Sequence, residues 1–379
     1  MNGPQRIAFV HDWLIRMRGG EKVLEALCEC FPGAEIFTLV HKQGSMSPVI
    51  AAHQIHTSFL QSLPGSTKQY QYYLPIFPAA IANLNLRGFD CTISVSASVA
   101  KAVPTPPGTL HICYCNTPMR YIWDQFEEYF GPGRAGLPVR AAMSILRRPL
   151  QRWDVRTASR PHFYIANSHN VRRRIERIYN RSADVIYPPV DTSRFTLSTH
   201  DDGYYLVVSA LVAYKRVDLA VQAATEMGER LIVVGEGQDI DRLRAMAGPT
   251  VEFTGWRPDD EIRDYYSGCR AVLFPGEEDF GIVPVEAMAS GKPVVAFGRG
   301  GALETVIETD ELRTGVLFHE QTVDSLSAAL RTVREINFEG TKMRHFALGF
   351  DREVFKARMV AYVGRRWSEF KKGLPQVSI

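Results

Sequence analysis

Short, nearly continuous apolar runs, each followed by a stretch with helical spacing, recur along the whole chain. "RIAFVHDW", "AEIFTLV", "DCTISVSA", "LHICYCN", "HFYIANS" and "DVIYPPV" form one set. "YYLVVSAL", "RLIVVGEG", "VEFTGW", "AVLFPG", "PVVAFG" and "GVLF" form a second. A strand with one wet face alternates polar and apolar residues. Strands that are apolar at successive positions must be covered on both faces, which requires parallel sheets with crossover helices above and below. The two sets are separated by "PPVDTSRFTLSTHDDG", residues 188–203, where prolines, hydroxyl residues and Asp-Asp-Gly break the pattern. A chain of 379 residues exceeds one ordinary core. The expected fold class is therefore α/β, with two doubly wound parallel-sheet domains at residues 1–195 and 196–379 facing a cleft, and the last C-terminal helix crossing back to the first.

The 45% hydrophobic and 22% charged composition is that of a globular protein. No apolar run approaches the roughly 18 residues a spanning helix needs. "MNGPQRIAFVHDW" lacks a charged-then-apolar leader, so a cytoplasmic location is expected. The six cysteines include Cys28/Cys30 and Cys113/Cys115, whose spacing is not that of a zinc site, and they read as buried thiols. A net charge of +3 conceals an asymmetry: 22 Lys+Arg against 13 Asp+Glu in residues 1–200, then 22 against 28 in the remainder. Between Arg134 and Arg181 stand 12 arginines with only Asp154 and Glu176 as acids, a density suited to polyanions or anionic lipid.

Ligands of open parallel sheets bind at the carboxyl ends of strands, so chemistry-bearing residues are sought there. Gly19-Gly20 stands between the first strand and a helix, read either as a phosphate-approach site or as a plain turn. Lys215-Arg216 stands at the entry to a helix, where cations oppose the macrodipole unless an anion joins them; the other reading is two solvated side chains offset by Asp218. "PGEEDFGIVPVEAMASGKPVVAF" places Glu278 in a loop and Glu286, with seven residues between them, inside a helix that tolerates Pro284 in its first turn and closes at Gly291. Amides around Phe280, Gly281 and Ile282 would open a further anion site, with one carboxylate for each hydroxyl-rich end of a diphosphate ligand. A helix cap and a solvated loop acid are the bland readings of the two glutamates.

This block resembles the E-x7-E signature of family-four retaining glycosyltransferases with the two-Rossmann GT-B fold. "GGEK", "YCNTPMRYIWD", "IANSHNVRRRIERIY", "VIYPPVD", "LVAYKRVDLAV", "VVGEGQD" and "FTGW" extend the resemblance over nearly the whole chain, nearest in wording to bacterial O-antigen and surface-polysaccharide mannosyltransferases. The resemblance implies that Glu278 holds donor-sugar hydroxyls, Glu286 the ribose, and Lys215 the diphosphate, assisted by Gly19-Gly20 and Phe280-Gly281 amides. Gly255, Trp256 and Arg257 would hold the base. The implied donor is a nucleotide sugar, GDP-mannose first, with UDP- or dTDP-sugars as alternatives. The sequence departs from the family at Ala210, where an arginine is usual and for which Arg216 is the substitute, and at Asn116, where histidine is usual. Asparagine hydrogen-bonds a sugar hydroxyl but does not titrate near neutral pH.

No strand is followed by a DxD-like pair in the donor half, so transfer without metal or other cofactor is expected. The acceptor side is assigned to His11, Asp12, Arg120, Tyr121 and Trp123, with a buried structural role as the other reading of His11-Asp12 and a core role as that of the aromatics. "PVRAAMSILRRPLQRWDVRTASR" spaces Arg148, Arg152 and Arg156 four apart with an apolar set beside them, although Pro149 would kink the helix. Given a lipid-linked oligosaccharide acceptor, this region is expected to touch the inner face of the cytoplasmic membrane. Two other classes stay open: a glycoside hydrolase, which also needs paired carboxylates, and a non-catalytic polyanion binder. The basic stretch lacks a nucleic-acid motif, so nucleic acid is not an expected partner.

Overall fold

The computed structural model describes residues 3–133 and 135–373. It divides into two compact units, one running to Pro189 and resuming at Phe355, the other Val190–Val354. The first contains β1 (Ile7–His11), β2 (Glu35–Thr38), β3 (Ile55–Thr57), β4 (Cys91–Ser96), β5 (Leu110–Cys115), β6 (Phe163–Ala166) and β7 (Asp184–Val185). They pair in the order β3-β2-β1-β4-β5-β6-β7, parallel throughout. The second contains β8 (Tyr204–Val208), β9 (Arg230–Val234), β10 (Val251–Gly255), β11 (Ala271–Phe274), β12 (Val294–Phe297) and β13 (Gly315–Phe318), in the order β10-β9-β8-β11-β12-β13, again parallel. Each apolar run seen in the sequence is a strand. β3 escaped because its three residues carry no apolar run and lie at a sheet edge.

The double coverage inferred from composition is visible in β1. All five residues are buried, Phe9 joining one core with Ile36, Ile93 and Ile112, while Ala8 and Val10 join the other with Phe77, Ile81 and Met143. The Arg352–Gly373 helix contributes Phe355, Met359, Tyr362, Val363 and Trp367 to the first of these, an apolar stripe at helical spacing. Its Tyr362 hydroxyl donates to Asp184 at 2.9 Å.

The division falls at Pro189/Val190 rather than 195/196. Val190 donates to Phe350 O at 3.1 Å and accepts from Arg352 N–H at 2.9 Å, and the Phe195 ring meets Tyr266 edge-on, so residues 190–195 are stitched into the second unit. Pro149 sits inside the Leu137–Thr157 helix without ending it. That helix is anchored by a network the sequence did not suggest. Lys101 and Asp154, both buried, pair at 2.8 Å, and the Asp154 carboxylate also accepts from Trp123 Nε1 at 2.8 Å and Tyr179 Oη at 2.9 Å.

His111 on β5 is wholly buried, with Nε2 2.9 Å from Ser94 Oγ. Burial, reinforced by His162 and Arg160, pushes its pKa down to about 3. A depressed pKa in the folded state stabilises the fold above the unfolded value near 6.5, and this contribution is lost as pH falls toward 3. At pH 5 the loss is about 2 kcal/mol. His111→Gln keeps a partner for Ser94 and removes the titration. Chemical denaturation at pH 7 and pH 5 is expected to show a smaller drop in stability for this variant than for the native chain; equal drops would contradict the assignment.

Candidate functional site

In a sheet of order 3-2-1-4-5-6 the ligand crevice lies where the chain direction of the winding reverses, between the first and fourth strands. In the second unit these are β8 and β11. After β8 comes the Ala213–Lys215 turn, then Arg216, then the Val217–Met227 helix. After β11 comes the acid loop, then the Ile282–Ala289 helix. The two strand ends are neighbours, and so are their side chains: Lys215 Nζ pairs with Glu278 Oε1, both groups largely shielded from solvent.

Glycines bring this about. A Cβ on Gly276 would lie 2.8 Å from Lys215 Cα and 2.8 Å from Tyr214 O, so the two loops meet backbone to backbone. From the other side Gly301 donates its N–H to Glu278 O at 2.8 Å, and a Cβ there would fall 2.3 Å from Phe280 Cα. The acid loop is thus held between the β8 loop and the Gly300-Gly301 turn. These glycines were the missed part of the site; the signal was the paired glycines directly after β12.

Gly281 adopts φ +87° as N-cap of the Ile282–Ala289 helix, a residue with no side chain to cap it. Pro284 at the third helical position has no N–H to satisfy, leaving the Ile282 and Val283 amides at the opening. The helix ends in a Schellman turn, Gly291 N–H to Met288 O at 2.9 Å and Lys292 N–H to Ala287 O at 2.9 Å. Glu286 lies in its second turn and accepts from the buried Tyr266 hydroxyl at 2.8 Å. Burial, with the adjacent carboxylate, drives the Tyr266 pKa well up, so this phenol stays a donor and orients Glu286. Gly255 ends β10 and Trp256 and Arg257 follow it, at the sheet edge two strands from β8. Trp256 is 68% exposed, and its backbone N–H approaches Glu236 Oε1 at 3.4 Å.

In the first unit the matching switch point, between β1 and β4, is closed. Asp12 Oδ2 accepts from Ala97 N at 2.7 Å and Ser98 N at 2.9 Å; Oδ1 accepts from Val99 N and Ala100 N at 2.7 Å each. Four donors saturate a carboxylate, so Asp12 holds the β4 loop and has nothing left for an acceptor hydroxyl. Burial pushes its pKa up, against the adjacent His11 and the amides that favour the ionised form. Tyr121 and Trp123 also have structural contacts within the first unit. The Tyr121 hydroxyl bonds Ser98 Oγ, Trp123 bonds Asp154, and both rings pack on the core. Arg120 is half-buried beside them.

His11, Asn116 and Gly20 do come together: a Cβ on Gly20 would lie 3.3 Å from Asn116 Nδ2 and 3.4 Å from His11 Nε2. His11 Nδ1 lies 2.9 Å from Trp13 O, a pure acceptor, so Nδ1 carries the proton and Nε2 faces Gly20. Gly19 and Gly20 are the first two residues of the Gly19–Cys30 helix, and Glu21 at the third folds back onto Arg18 N–H at 3.1 Å, placing a carboxylate at that terminus.

Residues 191–346 match the family model "Glycosyl transferases group 1". The chain is 36% identical over 140 residues to a GDP-mannose-dependent alpha-mannosyltransferase of Mycobacterium tuberculosis, covering 34% of this chain and 36% of that protein. It is 30% identical over 258 residues to a protein of the same description from Mycolicibacterium smegmatis, covering 65% and 64%. The chain spans only 21% to 42% of the length of the first curated relatives it matches. Its fold is similar to that of Anabaena HepE in complex with UDP and glucose, with a TM-score of 0.68 over 94% of this chain and 98% of that one at 18% identity. The second unit is thus a group 1 glycosyltransferase domain, and the chain as a whole has the two-domain architecture of the GT-B fold.

Gly276→Ala is expected to force the β8 and β11 loops apart and to destabilise the second unit by about 1–3 kcal/mol. A melting temperature at or above that of the native chain would show that the loops do not depend on this approach.

Proposed function

We propose that the protein is a retaining glycosyltransferase that moves a hexose, mannose from GDP-mannose, onto a lipid-linked glycan acceptor in surface-polysaccharide synthesis. The observation that carries this reading is the Lys215–Glu278 pair at the β8/β11 switch point, beside the uncapped opening of the Ile282–Ala289 helix. A cation next to free amides suits a diphosphate, and a carboxylate within reach suits sugar hydroxyls. In the ligand-free chain the two side chains neutralise each other. On donor binding Lys215 turns to phosphate and Glu278 to the sugar. Glu286, oriented by Tyr266, takes the ribose, and Trp256 with its neighbours takes the base.

Transfer leaves positive charge at the anomeric carbon and negative charge on the departing diphosphate. Lys215, Arg216 and the helix amides stabilise the latter without a metal ion. The departing phosphate receives the acceptor proton in a same-face attack, and on the first unit Asn116 and His11 are the groups offered to an acceptor hydroxyl. Mannose is favoured by the likeness to the two mycobacterial GDP-mannose-dependent alpha-mannosyltransferases. HepE was solved with UDP, which keeps a UDP-sugar as the second reading.

Membrane contact is assigned to a narrower surface than composition alone suggested. Arg134 lies outside the described residues. Arg147 and Arg181 donate to backbone carbonyls, Arg160 bonds Ala102 O, and Arg174 and Arg177 pair with Asp124 at 2.6 and 2.7 Å. On the solvent side of the Leu137–Thr157 helix stand Leu137 and Ile145, 76% and 75% exposed, followed by Arg148, Arg152 and Arg156. Apolar residues beside arginines fit an anionic lipid surface at the inner face of the cytoplasmic membrane. No helix among the described residues is long and apolar enough to cross a membrane.

GDP is expected to raise the melting temperature more than UDP, dTDP or ADP, since a ligand of the folded state stabilises by about 2.7 kcal/mol at a hundredfold excess over Kd. Indifference to all four would refute the donor site. With GDP-mannose and acceptor, transfer is expected to persist in EDTA and to fall at least about a hundredfold in Glu278→Ala. The Arg148→Glu/Arg152→Glu double variant should lose sedimentation with phosphatidylglycerol vesicles while keeping nucleotide-induced stabilisation; unchanged sedimentation would remove the membrane assignment.

A further inference from the structure

Arg216 breaks three local rules at once. Its backbone is left-handed, φ 51° and ψ 36°; Asn180 is the only other non-glycine with positive φ among the described residues, and it ends a helix, where that conformation is common. Arg216 closes the Ala213–Lys215 turn, donating its N–H to Ala213 O at 3.0 Å, and at the same residue begins a helix. It stands at the N-cap of the Val217–Met227 helix, where the side chain makes no capping bond, and its charge opposes the macrodipole. Elsewhere in the chain, Ser168 and Thr322 hold the same position with extended backbones and capping hydroxyls. A strained residue persists only where its surroundings over-determine it, and such strain collects at functional sites.

The surroundings are Asp218 and Gln321. Arg216 Nε donates to Asp218 Oδ1 at 3.3 Å, and Nη1 to Gln321 Oε1 at 3.4 Å. Gln321 follows β13, and its Nε2 donates to Pro275 O at 3.0 Å. A carbonyl only accepts, so the orientation of this amide is set by its partners: the NH2 must face Pro275 and the oxygen must face the guanidinium. The side chain therefore spans two loops that flank the switch point, tying the residue after Lys215 to the segment that begins the acid loop.

We infer that Gln321 is a positioning residue for the donor diphosphate: it acts through Arg216, holding the strained guanidinium beside Lys215 so that two cations meet the phosphates. This rests on the donor site proposed above and adds a residue that no sequence motif marks. It also requires the left-handed arginine to lower stability in the absence of ligand and to strengthen binding in its presence.

The test uses the full chain, the nucleoside diphosphate that gives the largest shift among the four above, and the nucleoside of the same base. Arg216→Gly is expected to raise the ligand-free melting temperature by about 2–4 °C, since glycine adopts this backbone without strain. It should also weaken diphosphate binding about 10- to 100-fold, the scale of a hydrogen bond to a charged group. Gln321→Leu should weaken diphosphate binding roughly three- to tenfold, leave nucleoside binding unchanged, and have no further effect in the Arg216→Gly background. Gln321→Glu, which cannot donate to Pro275 O, should not rescue the diphosphate affinity. Three results would each overturn the inference: an unchanged or lower melting temperature for Arg216→Gly, equal losses for nucleoside and diphosphate in Gln321→Leu, or additive losses in the double variant. If the native chain binds none of the four diphosphates, the donor site itself is wrong and the inference falls with it.

Discussion

The contact between the backbone of Tyr214–Lys215 and that of Gly276 sets the distance from which everything else at the candidate site follows. Two parallel strands leave their loops at a spacing fixed by the sheet, and a side chain on either loop would hold them further apart. With hydrogen in place of Cβ, the lysine of one loop reaches the glutamate of the other, and the amides of the following helix open alongside. Gly301 closes the arrangement from behind by bonding the Glu278 carbonyl. The acid loop is consequently a rigid element although it has no regular structure. Preorganised charge of this kind is what a developing diphosphate leaving group requires, because nothing must be rearranged when the charge appears.

The two units solve the same geometric problem in opposite ways. Each has a switch point between its first and fourth strands, where successive backbone amides are ready to accept an anion. In the first unit that anion is built in: Asp12 takes four amides and closes the position. In the second the helix after β11 has Gly281 at its N-cap, a residue with no side chain to close it, and the Glu278 carboxylate of the preceding loop is engaged by Lys215. This difference is the physical ground on which a diphosphate site is proposed in the second unit. It leaves the first unit with His11 and Asn116 around Gly20.

Much of this was legible beforehand. Uninterrupted apolar runs announce buried parallel strands, and glycine, proline and glutamate at set intervals after them announce the helix openings. The reading failed where one residue type serves two purposes. Trp123 and Tyr121 look like sugar-stacking aromatics, yet Trp123 donates its ring N–H to the buried Asp154 and the Tyr121 hydroxyl is hydrogen-bonded with the buried Ser98. Asp12 looks like an acid at a strand end, and its role as a loop cap depends on four amides 85 to 88 residues away. The arginine density between 134 and 181 likewise separated into tethers on backbone or Asp124 and an exposed row on one helix.

Periodicity and local spacing act over a few residues, and from them alone followed the two parallel α/β units, the strand ends at which to look, and Lys215, Arg216, Glu278 and Glu286 as the residues worth finding there. Only the folded chain decided which side chains are occupied with holding the fold, that Gly276 and Gly301 clamp the acid loop, and that Gln321 reaches Arg216. The reason is the parallel sheet itself: it makes neighbours of strand ends many dozens of residues apart, and hydrogen-bond saturation is a property of neighbours in space.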